Sequence, residues 1–228
     1  MSGEADCQNR FNIYTDLTEK AGEIRDQQCR PVCIIFSLSD INRVSNQLSE
    51  HLSVEFLCYE SATRQPGWTP NDGFTYQSAS SALSEAGQPI EAIYPYQSQN
   101  IDAPLTPPFI GENPVYYPEG DLEIVSATCG AITSSLDEGA VVTLVIGVTP
   151  SFQYPIDGVV LDSEAEEGEY PGVLHAVTCC GFSTCNNKGL EYFLIRNSWG
   201  TEWGDSGYCW VSKNFIARHC KSVIRISK

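Results

Sequence analysis

Three residues of this chain have the types and the order that nucleophilic catalysis by a thiol requires. Cys33 lies near the N-terminal end, His175 follows it after 142 residues, and Asn197 follows His175 after another 22. A neutral thiol is a weak nucleophile, so hydrolysis needs a thiolate and a group that carries its proton. Cys33 would be the nucleophile, His175 the general acid and base, and Asn197 the amide that orients the imidazole.

Of the three histidines, only one suits this chemistry. His51 follows the nucleophile by about one helix length and is predicted to lie at the surface, and His219 is close to the C-terminus. His175 opens an apolar strand and a second strand ends at Asn197, so neighbouring strands could bring the two together. A histidine in an apolar strand is more often a core residue, but the two Trp-Gly pairs that follow Asn197 favour catalysis.

The nucleophile is predicted to lie at the start of a helix. Apolar residues recur on one broad face from Ile34 to Leu48, and Pro31 stands just ahead of it, as suits a first helical turn. The N-terminal end of a helix favours an anion and would stabilise the thiolate of Cys33. A second helix is predicted over 74–86, and Gly87 would end it.

The second half of the chain has a different pattern. Beyond a proline-rich connection at 102–120, a short helix is predicted at 129–136, and β-type runs are predicted at 122–125, 140–148, 158–161, 175–182, 192–196, 208–212 and 223–226. A helical first half and a β-rich second half indicate an α+β fold. We expect one domain over 1–228, with a helical lobe at about 24–112 and a barrel-like, β-rich lobe at about 113–228. The N-terminal segment would pack on the second lobe, and the cleft between the lobes would hold the site.

Charge and composition limit the partners of the protein. The net charge is −16, which disfavours nucleic acid and anionic membranes because both need a basic surface. No apolar run reaches the 18 residues of a membrane span, and the first residues lack the features of a signal peptide. The absence of paired Cys-x2-Cys motifs argues against zinc, and no metal or organic cofactor is implied. We expect a monomer that acts on peptides or proteins.

The sequences around these positions resemble the papain family of cysteine peptidases. Leu174-His175-Ala176-Val177 and the run from Asn197-Ser198-Trp199-Gly200 to Tyr208 are similar to that family's C-terminal half, and Cys33-Ile34-Ile35-Phe36-Ser37 is similar to its nucleophile segment. The likeness covers about residues 10–226. It implies a papain-like, two-lobed fold and a peptidase that cleaves peptide bonds through a thioester on Cys33.

The resemblance implies roles for further residues. Gln27, six residues before Cys33, would donate its side-chain amide to the developing oxyanion together with the backbone N–H of Cys33. Trp199 would pack over the imidazole and exclude water from it. Gly73 would hydrogen-bond the extended backbone of a substrate. A pro-segment or a protein inhibitor is a further expected partner, because the family usually carries an inhibitory pro-segment.

Two departures from the family's pattern lie at the expected site. Where the family has Cys-Gly-Ser-Cys-Trp, this chain has Arg30-Pro31-Val32-Cys33-Ile34, with a cysteine one position earlier. Val32 adds bulk beside the residue that precedes the scissile bond, and it predicts a narrowed substrate contact. Leu174 stands beside the substrate where Asp or Asn is more familiar, which predicts a shifted pH range for the thiolate–imidazolium pair.

The ten cysteines are placed unlike a disulfide framework. Cys179, Cys180 and Cys209 lie in apolar runs, where a free thiol packs as a small apolar side chain. Cys58 and Cys220 resemble half-cystines of the family, but cysteines are missing at the matching partner positions. A reducing, cytoplasmic environment is therefore favoured slightly over a secreted or lysosome-like one.

An acidic run at 162–169 precedes His175. The plainer interpretation is a solvated loop. The sharper hypothesis is an acidic rim that attracts basic peptides and raises the pKa of His175.

Two other functions fit the same residues. A peptide-binding relative without catalysis would explain the altered segment around Pro31 and Ile34, although the complete catalytic set favours activity. An acyl transferase or peptide ligase would use the same thioester with an amine as acceptor, and products formed with added amines would separate it from a hydrolase.

Overall fold

The computed structural model describes residues 11–98, 108–160, 166–185 and 189–227. Its helices are α1 (Thr18–Ala21), α2 (Cys33–Ser45), α3 (Val54–Thr63), α4 (Tyr76–Ala86), α5 (Cys129–Asp137), α6 (Pro150–Gln153) and α7 (Lys213–His219). Its strands are β1 (Phe11–Asp16), β2 (Asp121–Val125), β3 (Val142–Gly147), β4 (Val159–Val160), β5 (Leu174–Cys185), β6 (Leu190–Arg196), β7 (Tyr208–Ser212) and β8 (Cys220–Ser227).

The strands form one sheet around the long strand β5. The order is β2-β8-β3-β5-β6-β7-β4, and β1 pairs with β5 as well. β3 and β1 follow one another along one edge of β5, while β6 pairs with the other edge. These pairs are antiparallel, and only the short β4–β7 pair is parallel among the strands of the described ranges. The arrangement places the start of β5 and the end of β6 at the same end of the sheet.

Helix α2 makes the main contact between the helical half and the sheet. Its apolar side chains Ile35, Leu38 and Ile41 belong to a single apolar core that also contains β3, β5 and β6 residues. A buried hydroxyl cluster joins it to two strands, because Ser37 Oγ lies 2.7 Å from the Thr143 hydroxyl and 2.9 Å from the Thr178 hydroxyl. The hydroxyls satisfy one another, so these polar groups are tolerated in the core.

A buried ion network fixes the same contact further along α2. Asp40 accepts from Arg25 at 2.7 Å and from Arg196 at 2.9 Å. Burial alone would raise the pKa of Asp40, but Arg196 and Arg25 outweigh it and hold that pKa below its usual value. Arg196 is the last residue of β6, and it also donates to the carbonyl of Gly22 at 2.8 Å. The network therefore ties the end of β6 to α2 and to the segment before it.

Local sequence signals explain where the helices of the first half begin. Ser53 accepts from the N–H of Phe56 at 3.0 Å and caps α3, and Thr75 caps α4 in the same way through Ser78 at 3.1 Å. Such caps satisfy backbone donors that a helix leaves open. Gly87 ends α4 with a φ of 65°, as its position after the apolar pattern predicts.

The α+β prediction is confirmed, and every predicted strand and helix has a counterpart within a few residues. The sequence pattern does not predict β1, because four of its six residues are exposed and show no apolar alternation. None of the described helices is both long and apolar enough to span a membrane. Among the described residues eight cysteines are free thiols and Cys185 is disulfide-bonded, so the chain contains a disulfide although its cysteines are placed unlike a disulfide framework.

Candidate active site

The candidate nucleophile is the first residue of α2. Cys33 is partly buried, and the preceding loop of residues 26–32 leads into the helix without a side-chain cap. Gln28 adopts a left-handed φ of 53° in this loop, and its backbone N–H and side-chain amide both donate to Asp26, at 2.7 and 2.5 Å. Cys33, as the first helical residue, has an N–H without an intrahelical acceptor.

The candidate base and its orienting amide meet at one end of the sheet. His175 is the second residue of β5, Asn197 directly follows β6, and both are buried. His175 Nε2 lies 2.7 Å from Asn197 Oδ1, which also accepts the N–H of Ser198 at 2.8 Å. Because Asn197 Oδ1 can only accept hydrogen bonds, the hydrogen of the neutral imidazole must lie on Nε2. The other ring nitrogen, Nδ1, then carries the lone pair that can take a proton.

Aromatic rings enclose the imidazole. Trp199 stacks on His175 with ring centroids 4.5 Å apart and an interplanar angle of 27°, and Phe152 of α6 lies 6.4 Å away. Trp203 supports both, because it contacts Trp199 edge-on at 5.8 Å and donates its Nε1–H to the Phe152 carbonyl at 3.2 Å. These rings exclude water from the His175–Asn197 hydrogen bond, which strengthens it.

The glycines of the two Trp-Gly pairs have a structural reason. Gly200 and Gly204 adopt φ values of 76° and 61°, in the left-handed region that favours glycine. A Cβ at Gly204 would lie 2.2 Å from the Tyr208 carbonyl, and one at Gly200 would lie 2.9 Å from the Asp26 carboxylate. The turn after Asn197 therefore packs directly against the loop that precedes Cys33.

Burial disfavours an isolated charge on either reactive group. It raises the pKa of the Cys33 thiol, although the backbone N–H groups of Ala176, Ile34 and Cys33 itself favour the thiolate. Burial also lowers the pKa of His175 to about 4, against the stabilising hydrogen bond to Asn197. Within the described structure the thiol and the imidazole do not hydrogen-bond to each other. A charged state is accessible only when thiolate and imidazolium form together and compensate each other.

Gln27 lies between the two halves of the site. Its side chain is buried, its Oε1 accepts from the Ser198 hydroxyl at 2.7 Å, and its Nε2 donates to the Arg30 carbonyl at 2.8 Å. The backbone adds a bond of 2.8 Å from Gln27 N–H to the Ser198 carbonyl. An amide nitrogen carries two hydrogens, so one of them remains for a substrate oxygen.

The predicted substrate contacts differ in position. Leu174 is exposed beside His175, and Gly73 is exposed next to Pro31. A Cβ added at Gly73 would lie 3.6 Å from the Pro31 carbonyl oxygen. Val32 is only 1% exposed and packs in the apolar core, so the prediction that its side chain narrows a substrate contact is wrong. The residue before a helix can turn its side chain inward, and spacing alone does not show this.

The described part of the acidic run is engaged with neighbouring elements. Glu167 accepts from the N–H of Ser151 at 2.8 Å, and Glu166 pairs with Arg218 at 3.1 Å. Glu169 pairs with His219 and Lys221 at 2.9 and 2.7 Å. Burial lowers the pKa of His175 and the hydrogen bond to Asn197 opposes it, with no contribution from a carboxylate, so the hypothesis that these carboxylates raise that pKa is wrong for residues 166–169. The remainder of the run, at 162–165, lies outside the described residues.

Some residues of the site are not predicted by the sequence. Ser198, Phe152 and Arg30 contact Gln27 or His175 directly, yet neither spacing nor residue type singles them out. The one available signal is that Arg30 is the single charged residue between Gln27 and Cys33. In the described ranges, no group of three or more His, Cys, Asp or Glu side chains is arranged to hold a metal.

Comparisons with known proteins agree with this geometry. A sequence model described as papain family cysteine protease matches residues 16–226. A cathepsin L-like protein of Caenorhabditis elegans is 27% identical over 212 residues, which cover 90% of this chain and 54% of that protein. Cathepsin L of Sarcophaga peregrina is 26% identical over 199 residues, covering 85% and 50%. The chain thus spans about half the length of these curated relatives.

Solved structures are similar over almost the whole chain. Xylellain, a cysteine protease from Xylella fastidiosa, has a TM-score of 0.72 at 18% identity and covers 100% of this chain and 91% of its own. The Carica candamarcensis cysteine protease CMS1MS2, in complex with E-64, has a TM-score of 0.70 at 21% identity and covers 93% and 97%. Digestive procathepsin L 3 of Tenebrio molitor has a TM-score of 0.74 at 21% identity, covering 94% and 69%. At these identities the likeness establishes the fold.

Proposed function

The chain belongs to the papain family of cysteine proteases, and we propose that it is a cysteine peptidase that hydrolyses peptide bonds through a thioester on Cys33. The observation that carries the proposal is the buried hydrogen bond of 2.7 Å between His175 and Asn197, which leaves Nδ1 of the imidazole as the base. Cys33 supports it from the other side, because it begins α2 and its thiolate is favoured by the N–H of Ala176, the neighbour of His175.

The first half of the reaction forms the acyl-enzyme. The Cys33 proton moves to Nδ1 of His175, and the sulfur attacks the carbonyl carbon of the scissile bond. The carbonyl electrons move to oxygen, and the Cys33 N–H and the Gln27 side-chain amide donate to that oxyanion. The oxyanion collapses as the C–N bond breaks, and the imidazolium gives its proton to the leaving amine.

The second half releases the acid. His175 takes a proton from water, the resulting hydroxide attacks the thioester, and the C–S bond breaks as the sulfur recovers its proton. Asn197 keeps the ring in one tautomer through both halves, and Trp199 covers that bond. Each step needs only these side chains, the Gln27 side-chain amide and the backbone N–H of Cys33.

Peptide-like ligands are the proposed partners. One structural neighbour is a cysteine protease in complex with E-64, and another is a procathepsin, so E-64 and a pro-segment are proposed as ligands of this chain as well. The exposed Leu174 and Gly73 would line the binding cleft on opposite sides. Assignment of these two residues rests on their place beside His175 and beside the loop of residues 26–32.

Active-site labelling tests the proposal. The protein would be incubated with an epoxysuccinyl peptide and followed by intact mass, comparing wild type with Cys33→Ala, His175→Ala and Cys29→Ala. Cys29 is the matched control, because it is an exposed thiol in the same loop. We expect one label that is lost in Cys33→Ala and retained in Cys29→Ala, with labelling in His175→Ala slower by roughly 100-fold or more.

The same samples would be given a mixture of peptides. Hydrolysis that disappears in Cys33→Ala completes the proposal, whereas an unlabelled wild-type enzyme that cleaves the peptides only by transferring their acyl groups to added amines contradicts hydrolysis. A label retained in Cys33→Ala, or an unlabelled wild type that is folded and reduced, contradicts Cys33 as the nucleophile.

A further inference from the structure

A buried charged cluster lies behind the loop that carries Gln27. Arg30 is 5% exposed, and its Nη1 lies 2.5 Å from Oε2 of Glu55, a residue of α3 that is 3% exposed. Its guanidinium carbon lies 4.8 Å from the centre of the Tyr96 ring. Here the Arg30 cluster means Arg30, Glu55, Tyr96 and Gln97. It stands where the loop of residues 26–32 meets the rest of the helical half.

The polar groups of the Arg30 cluster satisfy one another. A second contact of 3.4 Å joins Arg30 Nη2 to Glu55 Oε1, which makes the pair two-pronged. The backbone of Gln97 completes it, because its N–H donates to Glu55 at 3.2 Å and its carbonyl accepts from Arg30 at 3.3 Å. A buried ion pair with such partners contributes little net stability compared with apolar packing, but it fixes geometry.

The same cluster holds Gln27 at two points. The Arg30 carbonyl accepts from Gln27 Nε2 at 2.8 Å, and the Tyr96 hydroxyl donates to the Gln27 carbonyl at 2.9 Å. The Arg30 carbonyl also accepts from the Val32 N–H at 2.9 Å, next to Cys33. Both the backbone and the side chain of Gln27 are therefore held by residues whose positions depend on the ion pair.

We propose that Arg30 and Glu55 are positioning residues that aim the Gln27 amide at the oxyanion formed on Cys33. The inference rests on the proposed function, because it assigns a further role at that same site. It concerns a segment where the chain departs from the usual nucleophile motif, since Arg30 occupies the place of the first cysteine of that motif. In this chain the ion pair between Arg30 of the loop and Glu55 of α3 restrains the position of the loop.

The geometry explains why such a constraint would matter. Residues 27–32 have no regular secondary structure, so no backbone ladder holds them. An oxyanion donor is effective only within a few tenths of an ångström of its proper distance, and loop sites need support from neighbouring side chains. Lysine at position 30 would keep the positive charge, but it cannot form the two-pronged contact.

Two reactions of the Cys33 thiol distinguish a misplaced Gln27 amide from a general loss of thiol reactivity. In acylation by a p-nitrophenyl ester, the C–S bond forms, the carbonyl electrons move to oxygen, and p-nitrophenolate leaves when the oxyanion collapses. In alkylation by iodoacetamide, the C–S bond forms as the C–I bond breaks and iodide leaves, without an oxyanion. The thiol proton goes to His175 or to buffer in both. Only acylation should depend on Gln27.

The experiment measures both rates at Cys33 by peptide-level mass spectrometry in a Cys29→Ser background, which removes the exposed neighbouring thiol. The variants are Arg30→Lys, Glu55→Asp and Gln27→Ala. We expect Gln27→Ala to slow acylation roughly 100–1,000-fold. Arg30→Lys and Glu55→Asp should slow it by a smaller factor, on the order of 10–100-fold, while alkylation stays within about 3-fold of the reference.

A double variant makes the test specific to Gln27. If Arg30 acts through Gln27, adding Arg30→Lys to Gln27→Ala should slow acylation by no more than about 3-fold beyond Gln27→Ala alone. Full additivity of the two effects would overturn the inference. An unchanged ratio of acylation to alkylation in both charge-retaining variants would overturn it as well.

Equal losses of acylation and alkylation in a variant would also contradict the inference, because they indicate a displaced nucleophile instead of a misplaced donor. Circular dichroism and thermal melting show whether each variant is folded. Because Arg30→Lys and Glu55→Asp change different partners of the ion pair, the test can still be read if one of them does not fold. Failure of the proposed function has a different signature. A reference protein whose Cys33 reacts with neither reagent refutes the nucleophile itself, and the positioning role with it.

Discussion

The two sides of the site are built in different ways. On the strand side, His175 and Asn197 lie on β5 and directly after β6, whose backbones are joined by an antiparallel ladder with one register shift between Cys179 and Gly181. On the loop side, Cys33 and Gln27 belong to a helix start and an irregular segment, which side-chain contacts hold in place. The strand side inherits its geometry from the sheet, whereas the loop side depends on particular residues.

This difference explains where the chain keeps the family's pattern and where it does not. The strand side retains the His, the Asn and both Trp-Gly pairs, whose glycines have a backbone reason to be there. The loop side has an arginine in the place of a cysteine, and a buried glutamate of α3 compensates its charge. A segment held by side chains can change its residues only when the partners change with them.

The largest expected effect comes from removing the ion network that joins the strand side to the loop side. Asp40 on α2 joins Arg25 to Arg196, the residue before Asn197. Asp40→Asn would take the shared carboxylate from the buried Arg196 and the partly buried Arg25, so we expect a loss of about 3–5 kcal/mol in the free energy of unfolding. Urea denaturation measures it, and the exposed Asp137→Asn is the control, with a change within about 0.5 kcal/mol. A loss no larger than that of the control would show that the sides are held together without this network.

The next effect tests the strand side alone. Asn197→Ala removes the acceptor of the His175 Nε2 hydrogen and frees the ring to turn. We expect kcat to fall roughly 10–100-fold with a nearly unchanged KM, as one hydrogen bond of about 1–3 kcal/mol is lost from a buried site. Steady-state kinetics checks it, with the exposed Asn113→Ala as control. A change confined to KM would instead place Asn197 in substrate binding.

Sequence reasoning succeeds on the strand side for the same physical reason that this side is well held. Apolar runs predict strands, antiparallel neighbours align their ends, and two residues at matching ends must then meet. The pairing of His175 with Asn197 follows from this.

The loop side is predicted less well. Gln27 lies six positions before Cys33, and that spacing identifies Gln27 without revealing which residues hold its side chain. Its support comes from Arg30 and Glu55, which are 25 residues apart and have no pattern in common. Val32 shows the same limit, because its inward orientation depends on how the helix start packs.

A third prediction uses pH to sharpen the contrast. His51 lies beyond α2, and its pKa is lowered to about 4, chiefly by burial and then by Arg25. The unfolded chain binds more protons below its ordinary pKa of 6.5, so the stability from neutral His51 is present above that pH and lost as pH falls toward about 4. The free energy of unfolding should therefore fall less in His51→Gln than in wild type over this pH range. Allowing for the partial exposure of His51, we expect the difference to be about 1–2 kcal/mol.

Urea denaturation at neutral pH and near pH 4 measures that difference. His175 also contributes in both proteins, because burial lowers its pKa to about 4 as well. Identical pH dependence of wild type and His51→Gln would assign the acid-sensitive stability to the strand side.

The smallest expected effect concerns Leu174, the residue beside the imidazole of His175. Leu174→Asp places a carboxylate next to His175 and favours its imidazolium form. The alkaline pH at which activity declines, as the imidazolium loses its proton, should therefore rise. Leu174 is 59% exposed, so solvent screening should limit the shift to less than about one pH unit. The pH profile of kcat/KM measures it, with Leu174→Asn as the neutral control of similar shape. A charge effect shrinks at high salt and is absent in the control, whereas equal shifts in both variants would mean that packing beside β5 sets the pH range.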